Sequence, residues 1–371
     1  MRLYQPCPDY SAPVPVPPAD VVMSPVPVYF IRYRYPHHAQ ASGYDRLCDY
    51  LKGETIPLSF ARHFAGETIL RIPAKIYSKT CGQYEYSRYD FVMELAARTH
   101  FKAHRNSIYH YVYGEKGYRL LSGLSGQNGN KIVLTVHHAP DHLDWLFRSV
   151  DHLRKADHVT VVSRSQIPVW EDIVGKGRVT HVPYAVDTNY FKPGFATGAD
   201  VPQRCLFIGY HERDFDGLPD LVSRILSAAP RAEICMISSD PRCGDIAAKN
   251  DRAVWHRRVD DAAYLRLLQT SKLLVLPLKK STTCTAVLEA MACGLPVLAT
   301  RGGIEDYLDD RSSILFDAGD MASMANDAVR LLNDSEAYAK MSAAAVQKAG
   351  EYSWHRTAVR MADLYTGIMR T

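Results

Sequence analysis

What this sequence lacks excludes several classes of protein. In its 371 residues no apolar run approaches the ~20 residues that span a bilayer. The eight cysteines are scattered without a C-x-x-C pair, which is typical of reduced thiols in a cytosolic protein and argues against a zinc site. The chain has no basic helix, zinc-finger spacing or glycine-aromatic RNA motif, so nucleic acid is not an expected partner. Its start lacks the apolar core of a signal peptide. We therefore expect a cytoplasmic protein, soluble or peripheral at the inner face of a membrane.

Charge is divided unevenly along the chain. Residues 1–185 carry 22 Lys and Arg against 16 Asp and Glu, and the remainder carries 22 against 24, which gives +6 and −2. Of the 15 histidines, 12 precede residue 186. A basic, aromatic-rich first half fits contact with anionic lipid or with an acidic acceptor. An ordinary basic surface explains the same numbers equally well.

The order of apolar runs predicts two α/β domains. Eight prolines within residues 1–27 indicate an extended arm over residues 1–25. Beyond the arm, strand-like runs alternate with helical stretches, as expected of parallel sheets covered by helices on both faces. The first series of predicted strands is 26–34, 107–112, 132–137 and 159–163, with helices from about 44, at 89–100 and at 145–155. The second series of predicted strands is 205–209, 233–238, around 254, 273–278, 297–300 and 314–316.

The domain boundaries follow from a segment rich in turn residues near 183–193. We assign residues 26–188 to an N-terminal domain and residues 189–352 to a C-terminal domain, followed by a terminal segment, 353–371. We expect two doubly wound, Rossmann-like sheets that face one cleft with the carboxyl ends of their strands.

The segment 272–306 carries the most information. It predicts a buried strand, a polar Lys-Lys-Ser-Thr-Thr loop, a helix from Thr283, a glycine stop at Gly294 and a second strand. A loop that leads into a helix N-terminus favours binding of phosphate. The helix carries one carboxylate, Glu289, on a polar stripe with Thr282 and Thr285.

Five pieces of sequence resemble the GT-B glycosyltransferases, specifically the retaining, glycogen-synthase-like family 4. They are ADHVTVVSRSQ with VTHVPYAVDTNYFKPG (156–194), CLFIGYHERDFDGL (205–218), VDDAAYLRLLQTSKLLVLPL (259–278), LEAMACGLPVLAT (288–300) and the tail EYSWHRTAVRMADLYTGI. The resemblance covers residues 150–371 well and the first half loosely. It implies the GT-B architecture and a divergent member of the family. By this resemblance residues 26–188 would form the acceptor-binding domain, residues 189–352 the nucleotide-sugar-binding domain, and residues 353–371 a closing helix that crosses back to the first domain.

The resemblance also implies a donor site. Glu289 would accept hydrogen bonds from both ribose hydroxyls of a nucleotide sugar, although capping or pairing with a neighbour is the plain alternative. Backbone N–H groups at Thr282, Cys284 and Thr285 would meet the diphosphate. The remaining donor-binding candidates are Gly209 in the first loop of the second domain, Arg258 in the base-binding segment, and Ser42 and Gly43, which otherwise form a plain turn.

Three departures from the family pattern affect the chemistry. Ser281 stands where a second Glu contacts the donor sugar, and Tyr210 and Phe215 replace the usual Arg and Lys. Ser281 is itself a donor-binding candidate that would reach the sugar hydroxyls as a neutral partner, and the alternative is that it has no role in binding. Because the leaving diphosphate still needs positive charge, we expect Arg213 to substitute, with Lys279 or Lys280 completing the clamp. The alternative for Arg213 is an ion pair with Asp214 or Asp216.

In the first domain the sequence TVHHAPD places His137 and His138 at the end of a strand. By resemblance one of them contacts the sugar or positions the acceptor, and the sequence does not choose between them. His37, His38 and Tyr44 are further candidates for the acceptor side.

The predicted function is transfer of a glycosyl group, with retention, from a UDP-linked sugar to a hydroxyl of a saccharide or lipid-linked saccharide. The family mechanism lets the leaving phosphate oxygen take the acceptor proton, and no Asp-x-Asp metal motif stands out. We therefore expect no cofactor and no metal. The main alternative is a degenerate nucleotide-sugar-binding or scaffold protein of a polysaccharide assembly system. A GT-B epimerase or phosphorylase fits less well.

Overall fold

The computed structural model describes residues 20–32, 41–56, 70–194 and 202–370. They divide into two compact units. The first contains the described residues up to 32, Gly43–Tyr184 and the chain from Trp354 onward. The second contains Ala185–Ser353 together with residues 41 and 42.

Within the described residues, the first unit is built on a six-stranded parallel sheet of order β2-β1-β3-β4-β5-β6. Its strands are β1 Val28–Ile31, β2 Glu54–Thr55, β3 Ile108–Tyr111, β4 Lys131–Val136, β5 His158–Val161 and β6 Val179–His181. Its helices are α1 Leu47–Tyr50, α2 Arg71–Thr80, α3 Arg88–Ala103, α4 Gly114–Gly117, α5 Leu143–Leu146, α6 Ile167–Val174 and the terminal helix Trp354–Arg370.

The second unit, over the same described ranges, has its own six-stranded parallel sheet, of order β12-β11-β10-β7-β8-β9. Its strands are β7 Arg204–Ile208, β8 Glu233–Ile237, β9 Ala253–His256, β10 Leu273–Leu276, β11 Val297–Thr300 and β12 Ser313–Phe316. Its helices are α7 Leu218–Ala228, α8 Arg242–Ala247, α9 Asp261–Gln269, α10 Thr285–Ala292, α11 Met321–Asn333 and α12 Ser335–Gly350. The terminal helix Trp354–Arg370 is therefore α13.

The apolar pattern explains why these elements stack. All four residues of β10 are buried, as are all four of β11, because helices cover both faces of the sheet. The helix α7 buries Leu218, Leu221, Val222 and Ile225, which recur at helical spacing, into the core beneath the sheet. The predicted fold class, α/β with two doubly wound parallel sheets, is confirmed.

Several predicted elements are corrected. The expected helix 145–155 is wrong, since α5 ends at Leu146 and Leu153–Lys155 forms only a 3-10 turn. Phe147 is extended and bridges Gln83, and the Arg148 N–H donates to Gly82 O at 2.8 Å, so tertiary pairing breaks the helical run. The donor helix begins at Thr285 rather than Thr283, because Cys284 has extended backbone angles. The strand β6, just before the predicted linker, was not among the predicted strands.

Some of the predicted features lie wholly or partly outside the described residues. Residues 1–19 of the predicted arm, His37 and His38 lie outside the described residues. Of the remaining arm, Val22 forms a parallel bridge with Leu51. None of the described helices combines the length and apolarity needed to cross a bilayer.

Candidate functional site

The first element of the site is the start of α10. The helix follows the buried strand β10 through a polar loop, and Cys284 is its N-cap residue. Within the described residues, the Cys284 side chain makes no capping hydrogen bond and the buried Thr283 Oγ1 has no partner. A helix start without a side-chain cap, at the positive end of the helix dipole, is a suitable place for an anion to bind.

Arg213 lies at this helix start. The loop after β7 pairs with the end of β10, through an antiparallel bridge between Arg213 and Leu278. The guanidinium donates to Ile208 O and His211 O at 2.9 Å each, and its Nη2 is 3.1 Å from Cys284 Sγ. The structure thus brings Arg213 to Cys284, two residues that the sequence analysis assigned separately to the diphosphate.

Gly209 is required beside this guanidinium. Its φ is +99°, and a Cβ atom there would lie 2.6 Å from Arg213 Nη2. A larger residue would therefore be strained and would displace the arginine.

The alternative for Arg213, an ion pair with Asp214 or Asp216, does not form in the described part of the chain. Asp216 instead pairs with Lys279 at 2.8 Å and with Arg242 at 3.3 Å, and the hydrogen bond from Lys279 lowers the pKa of the carboxyl. Lys279 is exposed and directed at Asp216, whereas Lys280 is half-buried in the loop. The structure therefore does not join Lys279 to the group around Arg213.

Glu289 lies one turn into α10 and is buried. Its Oε2 accepts a hydrogen bond of 2.6 Å from the Tyr264 hydroxyl, and its Oε1 accepts one from Ser42, which belongs to the same unit. Burial raises the pKa of Glu289, while both hydrogen bonds act to lower it. Burial also raises the pKa of Tyr264 well above its usual value, and the charge of Glu289 adds to this.

The side chain of Ser281 makes its hydrogen bond within its own loop. Its hydroxyl donates to Thr283 O at 2.8 Å, and its N–H donates to Gly302 O at 2.7 Å. Gly303 has a φ of +109°, and a Cβ there would lie 1.8 Å from Ser281 O. The loop before α10 is thus hydrogen-bonded to the loop after β11. Thr282, the next residue of this loop, is buried.

Arg258 lies at the end of β9, beside an open cavity of about 640 Å³. The cavity is lined by Trp255, His256, Arg257 and Arg258. The indole N–H of Trp255 donates to Ser238 O at 2.8 Å, which fixes that ring at the cavity wall. The space is large enough for a ring the size of a nucleobase.

In the first unit the two candidate histidines have different surroundings. His137 donates from Nε2 to Val112 O at 2.8 Å, and burial lowers its pKa. His138 Nε2 lies 3.4 Å from Glu85 Oε2. Burial, the largest single influence, acts to lower the pKa of His138, but the hydrogen bond to Glu85 and the charges of Glu115 and Glu85 together raise it. Backbone N–H groups of both residues donate to Glu115 Oε1.

Three other residues at these sites were missed from the sequence. Tyr264 precedes the buried Leu268 by one helical turn, and that spacing was a usable signal that it faces inward. Nothing in the local sequence marks Glu115 or Glu85, whose partners lie more than 20 residues away.

Tyr44 lies buried, with its ring edge-on to the ring of His137 at a centroid distance of 4.9 Å, and Gly43 precedes it with a φ of +102°.

The fold is the two-domain α/β fold found in GT-B glycosyltransferases. The solved structure of Anabaena Alr3699/HepE in complex with UDP-glucose superimposes with a TM-score of 0.63 at 13% identity, covering 92% of this chain and 100% of that one. Residues 202–334 match the family described as "Glycosyl transferases group 1". Over residues 202–334 the chain is therefore similar to that group, and the GT-B resemblance drawn from the sequence is confirmed.

The chain is also similar to curated proteins that are named as glycosyltransferases. Sulfoquinovosyl transferase SQD2 of Arabidopsis thaliana is 24% identical over 259 residues, which is 62% of this chain and 50% of the relative. A D-inositol 3-phosphate glycosyltransferase of Thermobispora bispora is 32% identical over 122 residues, which is 32% of this chain and 26% of the relative. The chain thus spans half the length of the first relative and about a quarter of the second.

Proposed function

We propose that this protein transfers a glycosyl group from a UDP-linked sugar to a hydroxyl of a saccharide or lipid-linked saccharide. The observation that carries the proposal is the arrangement around α10. The buried carboxylate of Glu289 lies one turn beyond the N-terminus of α10. The guanidinium of Arg213 lies beside the same N-terminus, next to Cys284. A nucleoside diphosphate has the complementary parts, a diol that donates hydrogen bonds and a diphosphate that accepts them.

Each group has a distinct task in the proposed reaction. Glu289 accepts hydrogen bonds from the ribose hydroxyls, and the cavity at Trp255–Arg258 receives the base. Arg213 and the backbone at Cys284 and Thr285 stabilise negative charge as it develops on the leaving diphosphate. Ser281 orders the loop that presents those backbone groups.

The proposed transfer retains the anomeric configuration and needs no metal. The leaving phosphate oxygen takes the proton of the acceptor hydroxyl as the new glycosidic bond forms on the same face. Positive charge from Arg213 and the end of α10 stabilises the diphosphate while the bond to it breaks. Support for a UDP-linked donor comes from the neighbouring structure that holds UDP-glucose, and support for transferase activity comes from the names of the curated relatives.

Peripheral contact with an anionic membrane surface belongs to the same proposal. The helix α2 exposes Ile72 by 70% and Ile76 by 58%, one turn apart, while Ala74 on its opposite side is fully buried. Arg71, Lys75 and Lys79 are its charged residues, and all are basic. Two exposed isoleucines flanked by cations fit the interfacial region of an anionic bilayer.

The test is turnover. The protein is incubated with UDP-glucose, UDP-galactose and UDP-N-acetylglucosamine, each with a saccharide extract, and released UDP is measured. We expect acceptor-dependent release of UDP from one donor, and an NMR coupling constant in the product that shows retention. UDP binding without turnover of any donor would support the scaffold alternative instead, and absence of UDP binding would contradict both.

A further inference from the structure

A pair of exposed aromatic rings lies at the surface of the first unit. Trp145 on α5 is 48% exposed, and Tyr84 is 64% exposed. Their rings meet edge to face, with centroids 5.3 Å apart and planes at 81°. Single exposed aromatics are ordinary, but two in contact form a continuous apolar surface that is costly to leave in water.

Hydrogen-bonding groups border these rings. The imidazoles of His138 and His142 contact Trp145, with centroids at 6.0 Å and 5.5 Å. His138 also lies 3.4 Å from the Glu85 carboxylate, which is the neighbour of Tyr84 in the chain. The border therefore offers imidazole donors and a carboxylate acceptor next to an apolar surface.

The backbone beneath the rings is held firmly. The Tyr84 N–H donates to Leu146 O at 2.8 Å, which joins the two aromatic segments. The Gln166 amide donates to His138 O at 2.9 Å, and the Glu115 carboxylate accepts from the His138 N–H at 2.8 Å. A surface fixed in this way loses little conformational entropy when a ligand binds.

We propose that Trp145, Tyr84, His138 and Glu85 form a saccharide-binding subsite. A pyranose has one face of C–H groups, which packs on an aromatic ring, and a rim of hydroxyls that both donate and accept hydrogen bonds. The rings and their polar border supply both halves of that recognition. The proposal rests on the proposed function, because it assigns the saccharide acceptor to a surface of the first unit.

A protein partner fits this surface less well. A stable protein interface buries about 800 Å² per partner, whereas the two rings together offer about 300–500 Å² even if fully exposed. That smaller area matches one or two sugar rings. A membrane surface fits less well too, since two imidazoles lie beside Trp145 and a carboxylate lies beside one of them, His138.

Tryptophan fluorescence tests the subsite directly. Trp170 and Trp354 are each 1% exposed, and Trp255 lies in the second unit, so Trp145 is the exposed reporter of the first unit. The full chain is titrated with maltose, cellobiose, lactose and N,N′-diacetylchitobiose. We expect a saturable change in emission with at least one probe. Trp145→Phe should abolish the change, and Trp255→Phe should keep it.

Affinity is then measured by calorimetry with the responding disaccharide. Trp145→Ala and Tyr84→Ala should each weaken binding at least tenfold, and Glu85→Gln should weaken it several-fold, with the circular dichroism spectrum unchanged. No saturable response to any of the four probes, or unchanged affinity in Trp145→Ala and Tyr84→Ala, would overturn the subsite. Donor turnover and the acceptor KM, measured on the same samples, keep the two proposals apart. Disaccharide binding by a protein that turns over no donor would refute only the transfer reaction, and turnover with an unchanged acceptor KM in Trp145→Ala would refute only the subsite.

Discussion

The Tyr264 hydroxyl donates a 2.6 Å hydrogen bond to the buried Glu289 carboxylate. The two residues come from different helices of the second unit, α9 and α10; Glu289 is buried and Tyr264 is partly buried. The phenol therefore orients the one carboxylate of α10 and favours its ionised form. Tyr264 acts as a positioning residue for the ribose contact that we assign to Glu289.

Removing the Tyr264 hydroxyl should change the pH dependence of UDP binding. Above its pKa Glu289 is ionised and accepts ribose hydrogen bonds, and as pH falls through that pKa the acceptor is lost. Because the Tyr264 hydrogen bond lowers the pKa of Glu289, Tyr264→Phe should raise it. Calorimetric UDP titrations from pH 5 to 8 should then show the acid loss of binding at higher pH than in the unmodified chain.

Tyr338→Phe is the control for this experiment. Tyr338 lies at the second unit's helix α12 and carries its hydroxyl near Ser342 rather than near Glu289. Its pH profile should coincide with that of the unmodified chain. An unshifted profile in Tyr264→Phe would show that the phenol does not tune Glu289.

Arg213 should distinguish UDP from uridine. If its guanidinium contacts the diphosphate, Arg213→Gln loses a charge-assisted hydrogen bond worth roughly 1.5–3 kcal/mol. UDP affinity should fall by one to two orders of magnitude, and uridine affinity should change little. Arg242→Gln removes a half-exposed arginine that pairs with Asp216 and Asp240, and it should alter neither affinity.

Both affinities are read by competition against a labelled UDP-sugar. An equal loss of UDP and uridine binding in Arg213→Gln would mean that the arginine only supports the loop after β7. Arg213→Lys keeps the charge without the planar fork, so we expect it to recover part of the UDP affinity.

The exposed face of α2 should bind anionic vesicles. Each basic residue near such a surface contributes about 1 kcal/mol, which is about fivefold in affinity. The double variant Lys75→Glu/Lys79→Glu should therefore weaken sedimentation with phosphatidylglycerol vesicles by more than 25-fold. Ile72→Ser/Ile76→Ser should weaken it by removing the inserted side chains, and phosphatidylcholine vesicles should bind little in every case.

Two variants serve as matched controls for α2. Val359→Ser replaces an exposed aliphatic residue on α13, and Lys340→Glu reverses an exposed charge on α12. Neither should change vesicle binding. If they weaken it as much as the α2 variants do, the contact is a general effect of charge and not a property of α2.

The sequence predicts those elements whose determining contacts lie close together along the chain. The strand, loop and helix around Glu289 could be predicted because apolar runs, Gly294 and Pro296 act within a few residues. The 145–155 helix failed because Phe147 pairs with Gln83, more than 60 residues away in the chain.

The site shows the same limit. Arg213 was identifiable as a cation, but its place beside Cys284 depends on the bridge between Arg213 and Leu278. Ser42 meets Glu289 across 247 residues of sequence, and no local pattern specifies such a contact. Contacts of this range follow from the packed fold.

The central claim is that Glu289 binds the ribose of a UDP-linked donor, and UDP titration of Glu289→Ala tests it most directly. Calorimetry of the unmodified chain, Glu289→Ala and the exposed-carboxylate control Glu336→Ala is run side by side. We predict that Glu289→Ala loses roughly 1.5–3 kcal/mol of UDP binding free energy, with Glu336→Ala unchanged. Equal UDP affinity in all three proteins would contradict the account.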